Sequence, residues 1–294
     1  MSGARSPERS WWRSRRPYLI RERDEWGEVQ LVRAALGLEL RFDDGALQGR
    51  LDPEEPWRPL SEYAVSMSLA PALLSEPQSL LYDGSRAPAQ VCLLGVGTAS
   101  LAWSYQRALP EAELHLVELR EAVLKVARRG LRLGELPHRH ELIDSAERAL
   151  PRFESGRFDL IAVDLFMSTG MAPALMSPSF WAELFRALKP EGLACVNLWS
   201  SDPEAYERLL ELIRAHRGPE RVTRALSHLS FSNVILFIGA PVLMGDELIR
   251  RAAALDELLG LDAPRSRRRQ KREERVGLSG EPLASRAARL AQLS

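Results

Sequence analysis

The sequence predicts an α/β fold, a Rossmann-like doubly wound parallel sheet with a small N-terminal β domain. From residue 91 onward, short apolar runs alternate with segments of helical periodicity, which is typical of a parallel sheet covered by helices on both faces. The first run ends in a Gly-x-Gly turn at Gly95 and Gly97, and Glu118 ends the second run. The distance of about twenty residues between turn and acid is that of a nucleotide-binding βαβ half.

The first 62 residues predict a small antiparallel β unit. Strand-like alternation covers Val29–Val32 and Leu38–Phe42, and Asp43-Asp44-Gly45 follows as a hairpin-type turn. The proline-rich run Asp52–Pro59 predicts an extended loop. The segment Ser61–Leu74 then has the periodicity of a helix.

The elements after residue 90 follow in alternating order. Strands are predicted at Val91–Gly95, Glu113–Glu118, Glu141–Asp144, Phe158–Asp164, Leu193–Trp199, Arg221–Leu226 and Asn233–Ile238. Helices are predicted at Ala99–Ala108, Glu121–Leu133, Ser145–Pro151, Pro178–Leu188 and Pro203–His216. The last of these helices begins after Asp202, an N-cap residue, with proline in the first helical position. Right-handed crossovers then leave a doubly wound sheet as the expected topology.

Length and composition set the outer limits. With 294 residues, 45% of them hydrophobic, the chain is long enough for one full α/β domain and an appendage. We expect a flexible basic N-terminus at 1–16, the β domain at 17–62 and a nucleoside-binding catalytic domain at 63–245. The remaining residues, 246–294, predict a C-terminal helix and a basic, flexible tail.

Charge and cysteine content favour neither a nucleic-acid nor a membrane partner, and they suit a reducing cytoplasm. Lys plus Arg and Asp plus Glu both number 40, so no overall field attracts nucleic acid or an anionic membrane. No run approaches the roughly 18 apolar residues that a spanning helix needs. Cys92 and Cys195 lie in predicted central strands and form no disulfide framework, so we expect a cytoplasmic protein. The strand edges and tryptophans of the β domain favour a homodimer.

The glycine turn and the acid after it predict a nucleoside ligand. Gly95 and Gly97 lack the Cβ atoms that would keep a ligand from the turn, and Glu118 can accept both hydroxyls of a ribose. Ser100 stands where a dinucleotide fingerprint has its third glycine. The turn therefore favours an adenosine without a pyrophosphate, such as an adenosyl sulfonium compound.

Two further acids end predicted strands at the edge where open α/β sheets bind their ligands. Asp144 can accept the exocyclic amine of adenine, or it can only cap the helix that begins at Ser145. Asp164 ends a strongly apolar strand and precedes a glycine-containing loop without helical or strand period. Its carboxylate can take the proton of an amine that attacks a sulfonium carbon, or it can serve as a loop anchor.

No metal site and no nucleophilic triad are predicted. His138 and His140 are the nearest approach to a metal-binding pair, but no carboxylate or cysteine partner stands near them in sequence. Ser168 and Thr169 have no histidine base in their sequence context.

Taken in order, these motifs resemble the spermidine synthase family of aminopropyltransferases, whose sheet is of the S-adenosylmethionine methyltransferase type. The resemblance runs from about residue 28 to 240 and rests on an ordered set of short motifs. They are Asp43-Asp44-Gly45-Ala46-Leu47-Gln48, Val117-Glu118-Leu119-Arg120, Ile143-Asp144-Ser145-Ala146, Asp164, and Ser232-Asn233-Val234-Ile235-Leu236-Phe237.

The resemblance implies a role for each matching residue. Gln48 would contact the nucleoside, Glu118 the ribose, and Asp144 with Ser145 the adenine. Asp164 would be the catalytic aspartate, and Tyr63 would correspond to the active-site tyrosine of the family. The co-substrate implied is decarboxylated S-adenosylmethionine, or S-adenosylmethionine itself, with a small-molecule amine as acceptor and no metal.

Two positions depart from the family pattern. Thr98, in the glycine turn, replaces an acid that would hold the aminopropyl amine of the decarboxylated donor. Met167 replaces the second acid of the substrate loop, so a cationic diamine would meet fewer anions in this site.

Three functions therefore stay open, in this order. The first is transfer of an aminopropyl group to an amine, with Asp164 as proton acceptor. The second is methyl transfer, although methyltransferases commonly have an acid where this chain has Leu93 and have no reason to carry the Gln48 turn. The third is a non-catalytic nucleoside-binding or oligomer-forming relative, which Phe166 and Met167 in the substrate loop would suit.

Overall fold

The computed structural model describes residues 18–43, 45–74, 87–167, 170–227, 233–239, 245–262 and 280–292. Several sequence predictions fall on other parts of the chain. The basic N-terminus at 1–16, Asp44 of the predicted hairpin turn, Ser168 and Thr169 of the substrate loop, and the basic run from Arg265 to Arg275 all lie outside the described residues.

The N-terminal β unit is a four-stranded antiparallel sheet with the order β1-β2-β3-β4. Its strands are β1 (Tyr18–Asp24), β2 (Gly27–Ala34), β3 (Gly37–Phe42) and β4 (Leu47–Leu51). Only β2 and β3 were predicted. The β3–β4 connection passes through Gly45, whose φ of 77° suits glycine, so β4 begins directly after the predicted hairpin turn and carries Gln48.

The main sheet has seven strands in the order β12-β13-β11-β8-β5-β6-β7. The strands are β5 (Gln90–Leu94), β6 (Glu113–Glu118), β7 (Arg139–Ile143), β8 (Phe158–Val163), β11 (Leu188–Trp199), β12 (Val222–Ser227) and β13 (Asn233–Gly239). All neighbouring pairs from β7 to β11 are parallel, whereas β13 runs antiparallel to both β11 and β12. The strand order reverses between β5 and β8, which is where open sheets of this kind bind ligands.

Eight helices accompany the sheets in the described part of the chain. They are α1 (Glu62–Met67), α2 (Ser100–Ala108), α3 (Glu121–Gly130), α4 (Ala146–Ala149), α5 (Pro178–Ala187), α6 (Pro203–His216), α7 (Asp246–Leu258) and α8 (Leu283–Gln292). For residues 246–294 one C-terminal helix and a tail were expected, and the structure has two helices there, α7 and α8.

Two local predictions were wrong. The helix predicted over Ser61–Leu74 ends at Met67 and continues after a break as a 3₁₀ turn at Ala70–Leu73. Pro71 explains the break, because it has no N–H to donate to the Met67 carbonyl four residues earlier and its ring would clash with that carbonyl in a continuous helix. The loop after Asp164, predicted to be without strand structure, contains a short hairpin of β9 (Phe166–Met167) and β10 (Gly170–Met171).

The apolar core lies on both faces of the main sheet, as the doubly wound prediction requires. One cluster joins α1, α2, α3, α7 and α8 with the N-terminal sheet, and the other joins α4, α5 and α6. Cys92 and Cys195 are free, buried thiols in the central strands β5 and β11. Within the described ranges, no helix has both the length and the apolar character needed to cross a membrane.

Candidate active site

Asp164 lies at the carboxyl end of β8, next to the glycine turn that follows β5. Its backbone N–H donates to the Leu94 carbonyl at 2.9 Å, which joins the two strand ends across the topological switch point. Gly95 has a φ of 91°, and a Cβ atom on it would lie 2.2 Å from the Asp164 carbonyl oxygen. The absence of a side chain at Gly95 therefore serves the packing of the protein backbone, whereas the sequence suggested room for a ligand.

The Asp164 carboxylate is held by two neutral hydrogen-bond donors. Asn197 of β11 donates its Nδ2 to Oδ1 of Asp164 at 2.9 Å, and Asn233 of β13 donates its Nδ2 to Oδ1 of Asn197 at 2.9 Å. Because a carboxylate only accepts, the Asn197 amide group must turn its NH₂ toward Asp164. The hydroxyl of Tyr63 is the second donor. Two successive amides thus anchor one oxygen of the carboxylate.

Burial raises the pKa of Asp164 to about 6, and the charge of Glu118 adds to the rise, whereas the hydrogen bonds from Asn197 and Tyr63 oppose it. Asp164 still keeps a partly exposed surface at the sheet edge. A carboxylate that is reachable and has a pKa near 6 is mostly ionised at neutral pH and is a stronger base than an ordinary aspartate.

Tyr63 comes from α1, the helix that follows the N-terminal sheet. Burial raises the pKa of Tyr63 well above its usual value, and the nearby Asp164 charge raises it further, although Arg50 of β4 opposes this rise. The tyrosine therefore stays protonated and donates to Asp164. The correspondence of Tyr63 to an active-site tyrosine stays a prediction, but the fold does bring Tyr63 to Asp164.

Glu118 closes the glycine turn from the end of β6. Its Oε2 accepts the backbone N–H of Val96 at 3.0 Å and of Gly97 at 3.5 Å, and its Oε1 accepts the N–H of Arg120 at 3.0 Å. Burial raises the pKa of Glu118, and these three backbone bonds oppose the rise. Since each carboxylate oxygen has two acceptor sites, Oε1 keeps capacity for a ribose hydroxyl, whereas Oε2 already accepts two N–H groups.

Strand β4 of the N-terminal sheet lies against the glycine turn. Thr98 is buried, and its Oγ1 is 3.4 Å from the Arg50 carbonyl oxygen, while a Cβ on Gly49 would lie 3.1 Å from the Thr98 side chain. The half-buried Gln48 belongs to the same strand. Thr98 therefore joins the two sheets, and the contact of Gln48 and Thr98 with a nucleoside stays a prediction.

The sequence left open whether Asp144 contacts adenine or only caps helix α4, and the structure gives the capping role to Ser145. Ser145 is the N-cap of α4 and accepts the Arg148 N–H at 3.3 Å with its side chain. Asp144 accepts the Ser145 N–H at 2.8 Å and pairs with Arg148 at 2.6 Å and Arg152 at 3.3 Å. The hydrogen bond from Arg148 is the main cause that lowers the pKa of Asp144. An adenine amine would have to share this carboxylate with two arginines.

The short hairpin forms an apolar rim beside Asp164. The ring of Phe166 lies 5.2 Å from that of Trp199 at the end of β11, and the Trp199 N–H donates to Met171 Sδ at 3.2 Å. Trp199 stands two residues beyond Asn197, hence on the same face of its strand, and 38% of it is exposed. Met167 lies next to Phe166 and is half-buried.

His138 and His140, the pair noted in the sequence, do not form the candidate metal group; His140 instead meets His115 and Glu113. His140 stacks on His115 with ring centroids 4.8 Å apart, and Glu113 lies 4.0 Å from His140, so three potential metal ligands do meet. Arg157 is 3.3 Å from His115 Nε2, and burial together with this arginine lowers the pKa of His115 to about 4. The positive guanidinium opposes cation binding, and the group lies at the opposite strand ends from Asp164.

Sequence reasoning missed Asn197, Asn233 and Arg50 as parts of the site. Asn197 had a detectable signal, because it is a lone amide in the otherwise apolar and buried stretch from Leu193 to Leu198. Buried amides require partners, and its position near a strand end placed it close to the candidate acid. Arg50 had no such signal, because an arginine a few residues after a turn is ordinary in sequence.

No family model matches the chain. A polyamine aminopropyltransferase from Chromobacterium violaceum is 28% identical over 197 residues, which cover 64% of this chain and 74% of that protein. The structure of a probable spermidine synthase from Corynebacterium glutamicum has 17% identity and a TM-score of 0.64, covering 81% of this chain and 86% of that chain. Human methyltransferase-like protein 13 in complex with SAH has 23% identity and a TM-score of 0.59, covering 70% of this chain and 95% of that chain.

These comparisons confirm the resemblance that the motifs predicted. The two solved structures show the fold, a methyltransferase-type sheet that spermidine synthases share. By sequence, the chain is similar to polyamine aminopropyltransferases over 64% of its length.

Proposed function

We propose that this chain is a transferase that moves an aminopropyl group from decarboxylated S-adenosylmethionine to a small-molecule amine. The observation that carries the proposal is Asp164, a carboxylate at the switch point with a pKa of about 6 and two neutral donors. The sequence similarity to polyamine aminopropyltransferases supports this reaction, and the complex of methyltransferase-like protein 13 with SAH supports a related co-substrate.

The proposed reaction needs a free amine at the moment of attack. An alkyl amine is protonated at neutral pH, because amines of the lysine type have a pKa of about 10. Asp164 accepts one proton from the ammonium, and the nitrogen lone pair then attacks the propyl carbon bound to the sulfonium. The carbon–sulfur bond breaks, its electron pair stays on sulfur, and methylthioadenosine leaves as a neutral thioether. The chain's main tasks are positioning and proton transfer, because the donor is already activated.

The donor would lie between the glycine turn and β4. Glu118 would accept the ribose hydroxyls, Asp144 would face the adenine, and Gln48 would contact the nucleoside from the N-terminal sheet. The apolar rim of Phe166, Met167, Met171 and Trp199 would cover the acceptor beside Asp164. The expected homodimer and cytoplasmic setting stay predictions.

Methyl transfer is the second candidate, and Thr98 is the observation that favours it. Its side chain is turned to the Arg50 carbonyl, so this position of the turn offers no carboxylate to the aminopropyl ammonium of the decarboxylated donor. A methyltransferase would bind the carboxylated donor through other groups.

A donor comparison distinguishes these functions. Calorimetry with S-adenosylmethionine, its decarboxylated form and methylthioadenosine is expected to give tighter binding of the decarboxylated donor, followed by turnover with putrescine. Tighter binding of the carboxylated donor with methyl transfer would support the second candidate. Binding of the nucleosides without turnover of putrescine, longer diamines or monoamines would contradict both.

Replacing Asn197 with leucine is expected to raise the pH midpoint at which the rate falls on acidification. The hydrogen bond from Asn197 lowers the pKa of Asp164, and a bond to a charged group is worth about one pKa unit or more. The midpoint should therefore rise from about 6 to roughly 7, with little change in rate well above it. Val196→Ala, on the same strand but the other face, is the control. An unchanged midpoint in Asn197→Leu would show that Asn197 does not control the protonation of Asp164.

A further inference from the structure

Helix α1, which carries Tyr63, has little means of its own to hold its position. It contains six residues, and Ser61 makes no side-chain capping bond at its start. Helices much shorter than about 12 residues are marginal without tertiary partners. The place of Tyr63 beside Asp164 therefore depends on what is packed against α1.

Helix α1 makes a buried polar contact with a helix that lies far along the chain. Arg286 of α8 is almost fully buried, and its Nη2 is 2.5 Å from Oε2 of Glu62, while its Nη1 is 2.7 Å from Oγ of Ser66. Glu62 and Ser66 are one helical turn apart and flank Tyr63 in sequence. A planar guanidinium that contacts two successive turns restrains both the rotation and the sliding of the helix.

The base of α8 is itself firmly held. Both oxygens of Asp256 in α7 accept backbone N–H groups at the start of α8, from Leu283 at 2.7 Å and from Ala284 at 3.0 Å. Leu283, Ala287 and Leu290 of α8 belong to the same apolar cluster as α1. These contacts hold helix α8, and with it Arg286, in place.

We propose that Arg286 is a positioning residue of the candidate site, which holds α1 where Tyr63 can hydrogen-bond to Asp164. A buried ion pair is a poor source of net stability, because apolar replacements of similar volume are often neutral. Its value here is geometric, since it fixes the short helix that carries Tyr63. The effect on turnover rests on the proposed function, whereas the effect on Asp164 itself does not.

The groups around Asp164 make this testable by titration. The titratable or polar groups that face it are Tyr63 from α1, Tyr105 from α2, Glu118 from β6, and Asn197 with Cys195 from β11, and Arg50 of β4 faces Tyr63. A change at Arg286 removes none of these groups. A shift in the titration of Asp164 would therefore report a displaced Tyr63.

The experiment is a titration of the full chain by NMR with ¹³C-carboxyl-labelled aspartate, in which Asp164→Asn assigns the signal. Tyr63→Phe is expected to raise the Asp164 midpoint by about one pH unit, because a donor to the carboxylate is lost. Arg286→Met should raise it by a similar amount, and the double variant should add nothing further. Arg286→Lys, which keeps the charge but has no fork, should give an intermediate shift.

The control is Leu290→Ala, which weakens the packing of the same helix without a hydrogen bond to α1. It should leave the Asp164 midpoint in place. An unshifted midpoint in a folded Arg286→Met, or an equal shift in Leu290→Ala, would overturn the proposal. If Arg286→Met does not fold, Ser66→Ala removes one of the two contacts and should shift the midpoint in the same direction; no shift there would overturn it as well. The titration needs no turnover, so a chain inactive with every amine would refute the proposed function and leave this test intact.

Discussion

Asp164→Asn is expected to lower aminopropyl transfer by about 10²- to 10⁴-fold, the usual contribution of a positioned general base. The amide keeps the size of the side chain and its one oxygen can still accept from Asn197, but it cannot take the proton of the acceptor. Donor binding should stay near that of the wild type, because Glu118 and the glycine turn are untouched. Steady-state rates with putrescine and calorimetry with methylthioadenosine measure the two quantities.

The matched control is Asp159→Asn, in the same strand but at its opposite end, where Asp159 pairs with Lys189 at 2.8 Å. It should leave the rate near the wild-type value. Full turnover by Asp164→Asn would show that another group accepts the proton.

The same substitution is expected to stabilise the fold at pH 7.5. The pKa of Asp164 rises from an ordinary 3.8 to about 6 in the folded state, so its contribution to stability is fully present below pH 3.8 and is lost as the pH rises through about 6. Above that pH the carboxylate is a net cost of roughly 1–2 kcal/mol, reduced because the group is partly exposed. Asparagine removes this cost. In the wild type, activity should fall with a midpoint near pH 6, as Asp164 becomes protonated.

Glu118→Gln is expected to weaken donor binding by about 100-fold. Loss of the charge weakens the hydrogen bond to the ribose, which is worth about 1.5–3 kcal/mol when the acceptor is ionised. The new NH₂ group must also face a backbone N–H, from either Arg120 or the pair of Val96 and Gly97, because both oxygens of Glu118 are used. Calorimetry with methylthioadenosine measures the affinity.

Glu121→Gln is the control for this change. Glu121 begins α3 three residues later and pairs with Lys125 on the exposed surface at 2.8 Å. Its affinity for the nucleoside should match that of the wild type. A Glu118→Gln affinity within about twofold of the wild type would exclude Glu118 as the ribose acceptor.

The hairpin and α1 show where local patterns were insufficient. The loop after Asp164 had no strand period, yet β9 pairs with β10 and Phe166 packs on Trp199. Strands of only two residues are too short to show an alternating pattern in the sequence, and their pairing depends on tertiary packing. Helix α1 was predicted too long, because the periodicity of its apolar residues outlasts the break at Pro71.

By itself, the sequence determined the doubly wound sheet, its strand ends, and the meeting of Gly95, Glu118 and Asp164 at one edge. These residues end parallel strands, and the spacing of βαβ units with right-handed crossovers leaves few ways to arrange such strands. The tertiary structure alone decided what surrounds that edge. Asn197 reaches Asp164 because β11 lies beside β8, and Arg286 reaches Glu62 across 224 positions of the chain. Contacts between such distant residues follow from packing, and no local period or spacing encodes them.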